Sequence, residues 1–503
     1  MQINSSKGSF KNFILKNYVY VFYFLCFAVP FTVFLKTMNP SSFGWDTTWF
    51  HIQIPLLAVG QTTGFPIAFL TGKLFSFLPL GTMAYRLNMY SVFWGAATIF
   101  VLFIFIKNLL KKEYWIAIVS AVFFGFFRVF WFQTTRFEVY TLTTFFTALI
   151  MLSGHYWTVL KSNRFLYLYF FLIGLSFTNH PISLFLAPAF ILYPVYTDWR
   201  QVFKVKKFFI ILALIISPSL LYLYIPVRSY QGYGNVKTLS QFIDYISGSK
   251  WKGHFGFKGW ELTRRIFIEY LDFIKGDFTI AVLVLFIAGL VFLALKKRGY
   301  LALILSLIVL NFIPIVFYED VATDFYFTTM AVFLCVPFAC GLFAVKEAIV
   351  YLFNRFLRER LKGRIVFLRA VDAGRDEKTY RKLVAARALF MLVFFVLVTF
   401  FPANLFAANY REMDRSRDTY VYDYWKGMLE NMAPGSLIIT NSMTSHVITY
   451  LEMYELGKNI ETVKIDSPDA IKQTINENLG KMEIYYVDAY LPDISNYYAI
   501  EQL

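Results

Sequence analysis

The sequence of 503 residues predicts an all-α polytopic membrane protein with a small C-terminal α/β domain. Hydrophobic residues make up 58% of the chain and charged residues 16%, whereas a soluble domain has about 45–50% apolar and about 25% charged residues. The mean hydropathy is +0.54. Long apolar runs alternate with short basic segments, which is the pattern of a protein that crosses a bilayer many times.

The formal net charge is +16, yet this excess does not indicate nucleic-acid binding. The Lys and Arg residues lie in short segments between apolar runs, where they orient a multispan protein. The three cysteines, Cys26, Cys335 and Cys340, lie inside apolar runs. Their spacing predicts neither a disulfide framework nor a zinc site.

Runs of about 20 apolar residues, the length needed to cross a bilayer, predict about 11 spans. They cover residues 17–36, 84–106, 114–132, 138–160, 165–178, 181–197, 208–226, 278–295, 300–317, 325–346 and 387–405. The first run is longer than a signal-peptide core and lacks a small-residue cleavage site before Lys36, so we expect a retained span. Pro181 favours a break between the fifth and sixth runs.

Basic residues at every second connection predict the orientation. Basic segments follow the second, fourth, sixth, eighth and tenth spans, and the N-terminus is basic as well. The positive-inside rule therefore predicts a cytoplasmic N-terminus and, with an odd number of spans, an extracytoplasmic C-terminus. The other connections form the outer face: 37–83, 133–137, 179–180, 227–277, 318–324 and the tail.

Two outer segments carry structure of their own. Phe65–Leu78 follows Gly64 and stops before Pro79, and it is apolar enough to form an interfacial or re-entrant helix. The tail reads as strands at 436–440 and 484–487 with a helix at 446–456. We therefore expect a transmembrane domain over residues 1–405 and a small α/β domain over residues 406–503.

Polar and ionisable side chains collect beside the outer ends of the predicted spans. Such groups cost several kcal/mol near a bilayer by most scales (about 2.5–3.5 at a span centre), so each is a functional candidate. The set comprises Asp46, Arg86, Asn88, Arg136, Glu138, His180, Arg228, Glu319, Asp320 and Asp324. All of them are predicted to lie at one depth.

The chemistry of this set suits a lipid-phosphate-linked sugar. A carboxylate facing water can act as general base toward an alcohol, which is the role we expect for Asp46. Arg can hold a phosphate bidentately. On depth and chemistry, we expect donor phosphate or sugar contacts from Arg86, Asn88, Glu138, His180 and Arg228.

Each of these side chains also has a structural alternative. Glu138 would pair with a neighbouring arginine, and Arg228 would extend from the interface into water. His180 would stabilise the turn before Pro181, and Asn88 would hydrogen-bond between helices. Asp46 would cap a helix N-terminus.

Several short motifs stand in a fixed order along the chain. The first group is Asp46, Gly60-Gln-Thr-Thr-Gly64-Phe-Pro66, Leu70-Thr-Gly-Lys-Leu-Phe75 and Tyr85-Arg-Leu-Asn88-Met-Tyr-Ser91. The second group is Phe137-Glu-Val-Tyr140, Gly174-Leu-Ser-Phe-Thr-Asn179-His180, Tyr224-Ile-Pro-Val-Arg228, Asp324-Phe-Tyr326 and Ala433-Pro-Gly-Ser436. Together they resemble the protein O-mannosyltransferase-like membrane family, which is similar to the glycosyltransferase C superfamily.

The resemblance implies a fold of the glycosyltransferase C type with an outer active site. It implies a polyprenyl- or dolichyl-phosphate sugar as donor, often mannose, and a catalytic Asp in the first outer loop, the position of Asp46. The expected partners are this donor, the bilayer, and an acceptor protein, lipid or glycan of the cell envelope. No nucleic-acid partner is expected.

Three positions depart from the family pattern. Gln61-Thr-Thr63 stands where the family has His-Pro-Pro, Trp49 where members often carry Glu, and Asn441-Ser-Met443 where the tail usually reads Asn-Gly-Asp. A paired-carboxylate mechanism or a metal site therefore lacks its usual residues. If a second carboxylate is needed, Glu138 or Asp324 must supply it.

Three functional hypotheses follow, one of which is a structural or receptor membrane protein whose small tail domain is the functional part. The first is a glycosyltransferase that inverts the configuration of the sugar, with Asp46 deprotonating the acceptor hydroxyl. The alternative is a lipid-linked glycan flippase or transporter without covalent chemistry, which predicts polar residues along a path through the bilayer. The mid-span positions are mostly Phe, Leu, Ile and Val, which disfavours transport. No cofactor is indicated with certainty, although outer carboxylates leave a divalent cation open.

Overall fold

The structure, a computed structural model, describes residues 5–42, 44–257, 259–318, 323–362, 377–440, 442–465, 467–487 and 497–498. In chain order, the first helices are α1 (Ser5–Thr37), α2 (Trp45–Leu56), α3 (Pro66–Ser76), α4 (Met83–Leu109), α5 (Tyr114–Gly125), α6 (Arg128–Thr134), α7 (Tyr140–Leu160), α8 (Asn163–Phe177), α9 (Ile182–Val202), α10 (Val205–Ile216), α11 (Tyr224–Tyr230), α12 (Leu239–Ile246) and α13 (Trp260–Asp277). Short 3-10 helices lie at Ser217–Leu223 and Ser249–His254.

The second part of the chain continues with α14 (Ile280–Lys296), α15 (Arg298–Phe317), a 3-10 helix at Thr323–Thr329, α16 (Met330–Lys362) and α17 (Glu377–Met413). The C-terminal unit then contains α18 (Tyr420–Asn431), β1 (Leu437–Thr440), α19 (Ser442–Leu451) with a π-helical turn at Glu452–Leu456, β2 (Glu461–Lys464), α20 (Pro468–Asn478) and β3 (Ile484–Tyr486).

Each of the 11 predicted spans falls on helix, which confirms a mostly helical, multi-pass membrane fold. Within the described residues, seven helices are long and apolar enough to cross a membrane, or eight if α5 and α6, bent by 73°, form one span. The remaining predicted spans are α7, with 21 residues, and two shorter apolar helices, α8 and α14. The total of 11 crossings stays a prediction.

Helices α4 and α16 form the centre of the bundle. In their most apolar 18-residue windows, 72% and 83% of the residues are buried, against 17% in α1 and in α17. The outer surfaces of α1 and α17 instead expose large apolar side chains, such as Phe24 and Phe400. This distribution suits peripheral helices whose apolar surface faces lipid.

Helices α14 and α16 come into close contact at two glycines. A Cβ atom at Gly289 would lie 1.7 Å from the carbonyl oxygen of Pro337, and one at Gly341 would lie 1.9 Å from that of Leu285. Small residues let two helix backbones approach closely, and this packing stabilises helix pairs in a bilayer.

The first long connection contains α2 and α3, and α3 confirms a helix within the predicted segment 65–78. The location of α3 in the membrane interface stays a prediction. Pro66 opens α3 at a position where its missing N–H costs no hydrogen bond. Helix α4 begins after Thr82, whose hydroxyl accepts a hydrogen bond from the Tyr85 amide at 3.2 Å.

The C-terminal unit has a parallel three-stranded sheet in the order β2-β1-β3, and the two predicted strands are β1 and β3. The last membrane helix continues eight residues past the predicted boundary at 405, to Met413. The unit shares a hydrophobic cluster with Ile52 of α2 and Ala84 of α4. Tyr454 Oη donates to the Ile52 carbonyl at 3.3 Å, and the Ala84 amide donates to Tyr450 Oη at 3.1 Å.

We predict that Gly289→Ala destabilises the bundle because its methyl group would force α14 away from α16. Overpacking of this kind costs about 1–3 kcal/mol, so the thermal-unfolding midpoint in detergent should fall clearly. The matched control is Gly427→Ala in α18, where an added Cβ meets no atom within 4 Å and helix propensity improves. Equal midpoints for the two variants would contradict the close α14–α16 contact.

Candidate active site

A cavity of about 800 Å³ opens at one end of the helix bundle. Its walls come from α2 with the loop at 61–65, from 132–140, from 180–185, from 247–255 and from 314–326. Every one of these segments belongs to, or borders, a connection that the sequence predicts on the outer face. The structure therefore confirms that these connections meet on one side of the protein.

Asp46 lies in the first turn of α2 with an exposed carboxylate that lines the cavity. Gln61 Nε2 donates to Asp46 Oδ1 at 2.7 Å. The N-cap of α2 is Gly44, whose amide donates to Thr48 Oγ1 at 2.7 Å. Asp46 is therefore not the helix cap, and its carboxylate faces the cavity.

Glu138 supplies a second carboxylate beside Asp46. It is buried between α6 and α7, where Arg136 Nε lies 3.3 Å from its Oε1 and Thr47 Oγ1 donates to the same oxygen at 3.3 Å. Burial raises the pKa of Glu138 to about 7, and the charge of Asp46 adds to the rise, whereas Arg136 opposes it. The pairing with a neighbouring arginine, which was the structural alternative for Glu138, is present with Arg136.

Asn88 is fully buried and joins three segments. Its Nδ2 donates to the carbonyl oxygens of Asn39 at 2.9 Å and Ser41 at 3.2 Å. Its Oδ1 accepts from the Phe137 amide at 2.8 Å and from His51 Nε2 at 2.9 Å. The side chain thus ties the end of α1, α2 and the 136–138 loop together.

Ser91 continues this arrangement one helical turn further along α4. Its Oγ accepts from the Glu138 amide at 2.9 Å, beside the hydrogen bond that Asn88 makes to Phe137. Asn88 and Ser91 therefore fix the backbone that carries Glu138. Asn88 lies outside the described cavity wall, and it acts on the site by positioning that loop.

His180 lies on the cavity wall in the break between α8 and α9, as the sequence predicts. Its Nδ1 accepts from the Ile182 amide at 3.2 Å, which assigns the ring hydrogen to Nε2 in the neutral form. Burial lowers the pKa of His180 to about 3. The ring stacks on Phe65 with centroids 5.8 Å apart and lies 5.1 Å from Tyr140.

Arg86 lies away from the described cavity wall. Its guanidinium donates to the carbonyl oxygens of Leu80 at 3.0 Å, Ser76 at 3.1 Å and Gly81 at 3.2 Å. These bonds hold the turn between α3 and α4 in place. Arg86 is therefore engaged with backbone, and the structure does not bring it to the position expected for a phosphate contact.

Arg228 likewise lies outside the described wall and binds the C-terminal end of α2. Its Nε donates to the Leu57 carbonyl at 3.0 Å, its Nη2 donates to the Leu56 carbonyl, and its guanidinium lies 4.0 Å from the centroid of the Tyr233 ring. A cation at a helix C-terminus is favoured by the helix dipole. This contact gives Arg228 a structural role in place of the expected donor contact.

The cavity wall also includes two cations and several aromatic rings that were not predicted to contact the donor. Arg136 is buried there, with its guanidinium 4.1 Å from the centroid of the Phe132 ring. Lys252 lines the wall from the connection after α12. No sequence signal distinguishes Lys252 from other basic loop residues, because a long connection does not reveal which side chain turns inward.

The structure does not show the side chains of three predicted acidic candidates. Glu319, Asp320 and the side chain of Asp324 lie outside the described residues. Among the described residues, no three His, Cys, Asp or Glu side chains converge as a metal site would require. The divalent cation stays a prediction, and no chemical step below depends on it.

Comparison with known structures identifies the class of fold. Two crystal structures of ArnT from Cupriavidus metallidurans, one bound to undecaprenyl phosphate and one in the apo state, each match with a TM-score of 0.56 and 10% sequence identity. The matches cover 94% and 95% of this chain and 90% of ArnT. The chain therefore has the glycosyltransferase C fold, as predicted.

Sequence comparison confirms the expected family resemblance. Residues 46–203 match the model described as the protein O-mannosyl-transferase TMEM260 N-terminal domain. The protein O-mannosyl-transferase tmem260 of Dictyostelium discoideum is 22% identical over 473 residues, which cover 84% of this chain and 54% of that protein. The chain thus spans about half the length of this curated relative.

The buried carboxyl of Glu138 predicts a pH-dependent stability. Its pKa in the folded protein, about 7, exceeds the ordinary value of 4.5. The protonated Glu138 carboxyl contributes to the free energy of unfolding. This contribution is fully present below pH 4.5 and is lost as the pH rises through 7, by about 3 kcal/mol in total. As the pH rises from 5 to 8, the thermal-unfolding midpoint of the wild type should therefore decrease relative to that of Glu138→Gln. Parallel pH profiles would contradict the burial of this carboxyl.

Proposed function

We propose that the protein is an inverting glycosyltransferase that moves a sugar from a polyprenyl-phosphate donor to an acceptor hydroxyl outside the cytoplasm. The observation that carries this proposal is the cavity in which the exposed Asp46 stands beside the buried Glu138, with Arg136 and Lys252 on the same wall. An acidic pair and cations beside apolar walls suit a charged headgroup attached to a hydrocarbon chain.

The proposed reaction is a single displacement. Asp46 accepts the proton of the acceptor hydroxyl as its oxygen attacks the anomeric carbon of the sugar. The new carbon–oxygen bond forms as the bond from that carbon to the phosphate oxygen breaks, and the electron pair leaves with the polyprenyl phosphate. Attack from the opposite face inverts the anomeric configuration. The leaving phosphate is already an anion, so it needs charge stabilisation more than a proton.

Arg136 and Lys252 are the cations that we propose for this phosphate. Both line the cavity, whereas the guanidinium groups of Arg86 and Arg228 donate to backbone carbonyls elsewhere. Fixed positive groups aimed at a developing negative charge accelerate a reaction without reorganising during it. Arg136 is held by Glu138 and by the Phe132 ring, which supports a fixed position.

We propose that the sugar ring lies toward Phe65, Tyr140 and His180. These rings form one continuous aromatic surface on the cavity wall. The neutral imidazole offers a hydrogen-bond donor at Nε2 without adding positive charge, which suits a sugar hydroxyl. Glu138 lines the same cavity, and its carboxyl group can hydrogen-bond to a second hydroxyl.

The similar proteins support the proposed sugar, acceptor and donor. A family model and a curated relative that are both named protein O-mannosyl-transferases support mannose as the sugar and a protein as the acceptor. An ArnT structure bound to undecaprenyl phosphate supports a polyprenyl-phosphate donor. The alternation of basic segments supports a cytoplasmic N-terminus and an extracytoplasmic C-terminus, so the cavity would open on the outer side.

Asp46→Asn tests the proposed base. The amide keeps the shape of the carboxylate and cannot accept the proton, so the rate of transfer from polyprenyl-phosphate mannose to a Ser/Thr peptide should fall about 10²–10⁴-fold. Donor KM should change little. The assay uses the purified full chain in proteoliposomes and follows radiolabel in the peptide.

Asp469→Asn is the matched control, because Asp469 also lies exposed in the first turn of a helix, α20, in the C-terminal unit. It should keep the wild-type rate. Wild-type activity in Asp46→Asn would contradict the proposed chemistry. Movement of lipid-linked mannose across the vesicle bilayer without covalent transfer would instead favour the transporter.

A further inference from the structure

Asp46 is an exposed residue in the first turn of α2, so its orientation needs a fixed partner. Gln61 Nε2 provides one, at 2.7 Å from Asp46 Oδ1. Gln61 also lines the cavity. An amide that donates to one carboxylate oxygen leaves the other oxygen available to accept a proton from an acceptor hydroxyl.

The loop at 57–64 that carries Gln61 is held by a segment distant in sequence. We call residues 224–248 the strap. Four strap residues hydrogen-bond to backbone groups of this loop. The contacts are Tyr224 Oη to Gly64 O (3.1 Å), Arg228 Nε to Leu57 O (3.0 Å), Val59 N to Tyr233 O (2.8 Å), and Tyr245 Oη to Gly60 O (2.6 Å) and Gln61 O (2.8 Å).

The strap also fits the loop closely at Gly64. Gly64 has a φ of +95°, in the left-handed region that favours glycine. A Cβ there would lie 2.9 Å from Ile225 Cδ1 and 3.2 Å from Tyr245 Cε1. The loop backbone therefore leaves little room to shift while the strap is in place.

We propose that Gln61 is a positioning residue for Asp46 and that Tyr245 of the strap holds Gln61 in the required place. The inference rests on the proposed function, because it assigns the partner of the proposed base. It also gives a role to Gln61 at a position where the protein O-mannosyltransferase-like family has His. A neutral amide donates at every physiological pH, whereas an imidazole titrates.

Gln61→Ala tests the first part. Loss of the donor should lower kcat for mannosyl transfer to the Ser/Thr peptide about 10–100-fold, because small misplacements of a reacting group reduce rates on this scale. Donor KM should stay within about twofold. Gln61→His should recover part of kcat, because its ring can still donate, and Gln61→Glu should not, because it places a second negative charge beside Asp46.

Tyr245→Phe tests the second part by a double-mutant cycle. Alone it should lower kcat by about 3–10-fold, and in the Gln61→Ala background it should cause no further loss, since the two side chains act in series. Tyr230→Phe is the matched strap control, because Tyr230 Oη donates to Lys237 O within the strap. Gln473→Ala is a second control, because it removes a similar hydrogen bond of 2.8 Å from an amide to the Glu477 carboxylate in the C-terminal unit. Both controls should keep wild-type kcat.

The outcomes separate this inference from the proposed function. If Asp46→Asn is inactive but Gln61→Ala keeps wild-type kcat, the positioning role is contradicted and the proposed function stands. If Tyr245→Phe lowers kcat equally in both backgrounds, the link through Gln61 is contradicted. An inactive wild-type chain or an active Asp46→Asn would contradict the proposed function and this inference with it.

Discussion

The site depends on one buried hydrogen-bond cluster around Asn88. Its amide group satisfies carbonyls at the end of α1 and accepts from the Phe137 amide and from His51. A buried polar group is stabilising when all its partners are present and costly when one is lost. Since Ser91 binds the next amide, that of Glu138, the cluster fixes the distance between the first long connection and the loop before α7. This fixed distance places Asp46 and Glu138 beside each other in the cavity.

Two further contacts hold the same region from outside the membrane bundle. The strap fixes the loop that carries Gln61, and the C-terminal unit contacts α2 through the bond from Tyr454 to Ile52. Both the strap and the C-terminal unit therefore support α2 and the loop that follows it. In the first turn of α2, Asp46 is exposed and lines the cavity, whereas Thr47 and Thr48 are buried. This arrangement combines a rigid support with an accessible reactive group, which is what a positioned base requires.

Much of the fold was predictable because a segment that crosses a bilayer must be apolar and helical. Every predicted span falls on helix, and the predicted outer connections meet at one cavity. The candidates Asp46, Glu138 and His180 were found for the same reason, since polar groups beside spans are costly. The roles of Arg86 and Arg228 were not predictable, because sequence does not show whether a guanidinium faces a ligand or a backbone carbonyl. Strand β2 has only one apolar residue, Val463, among its four residues, so its sequence does not predict a strand.

The most direct test of the account is a structure of the full chain with a polyprenyl-phosphate mannose bound. We expect the anomeric carbon of the sugar to face Asp46 and the phosphate to lie within hydrogen-bond distance of Arg136 or Lys252. Asp46 should keep its contact with Gln61. A phosphate bound instead at Arg86 or Arg228, or a sugar on the far side of the cavity from Asp46, would contradict the proposed site.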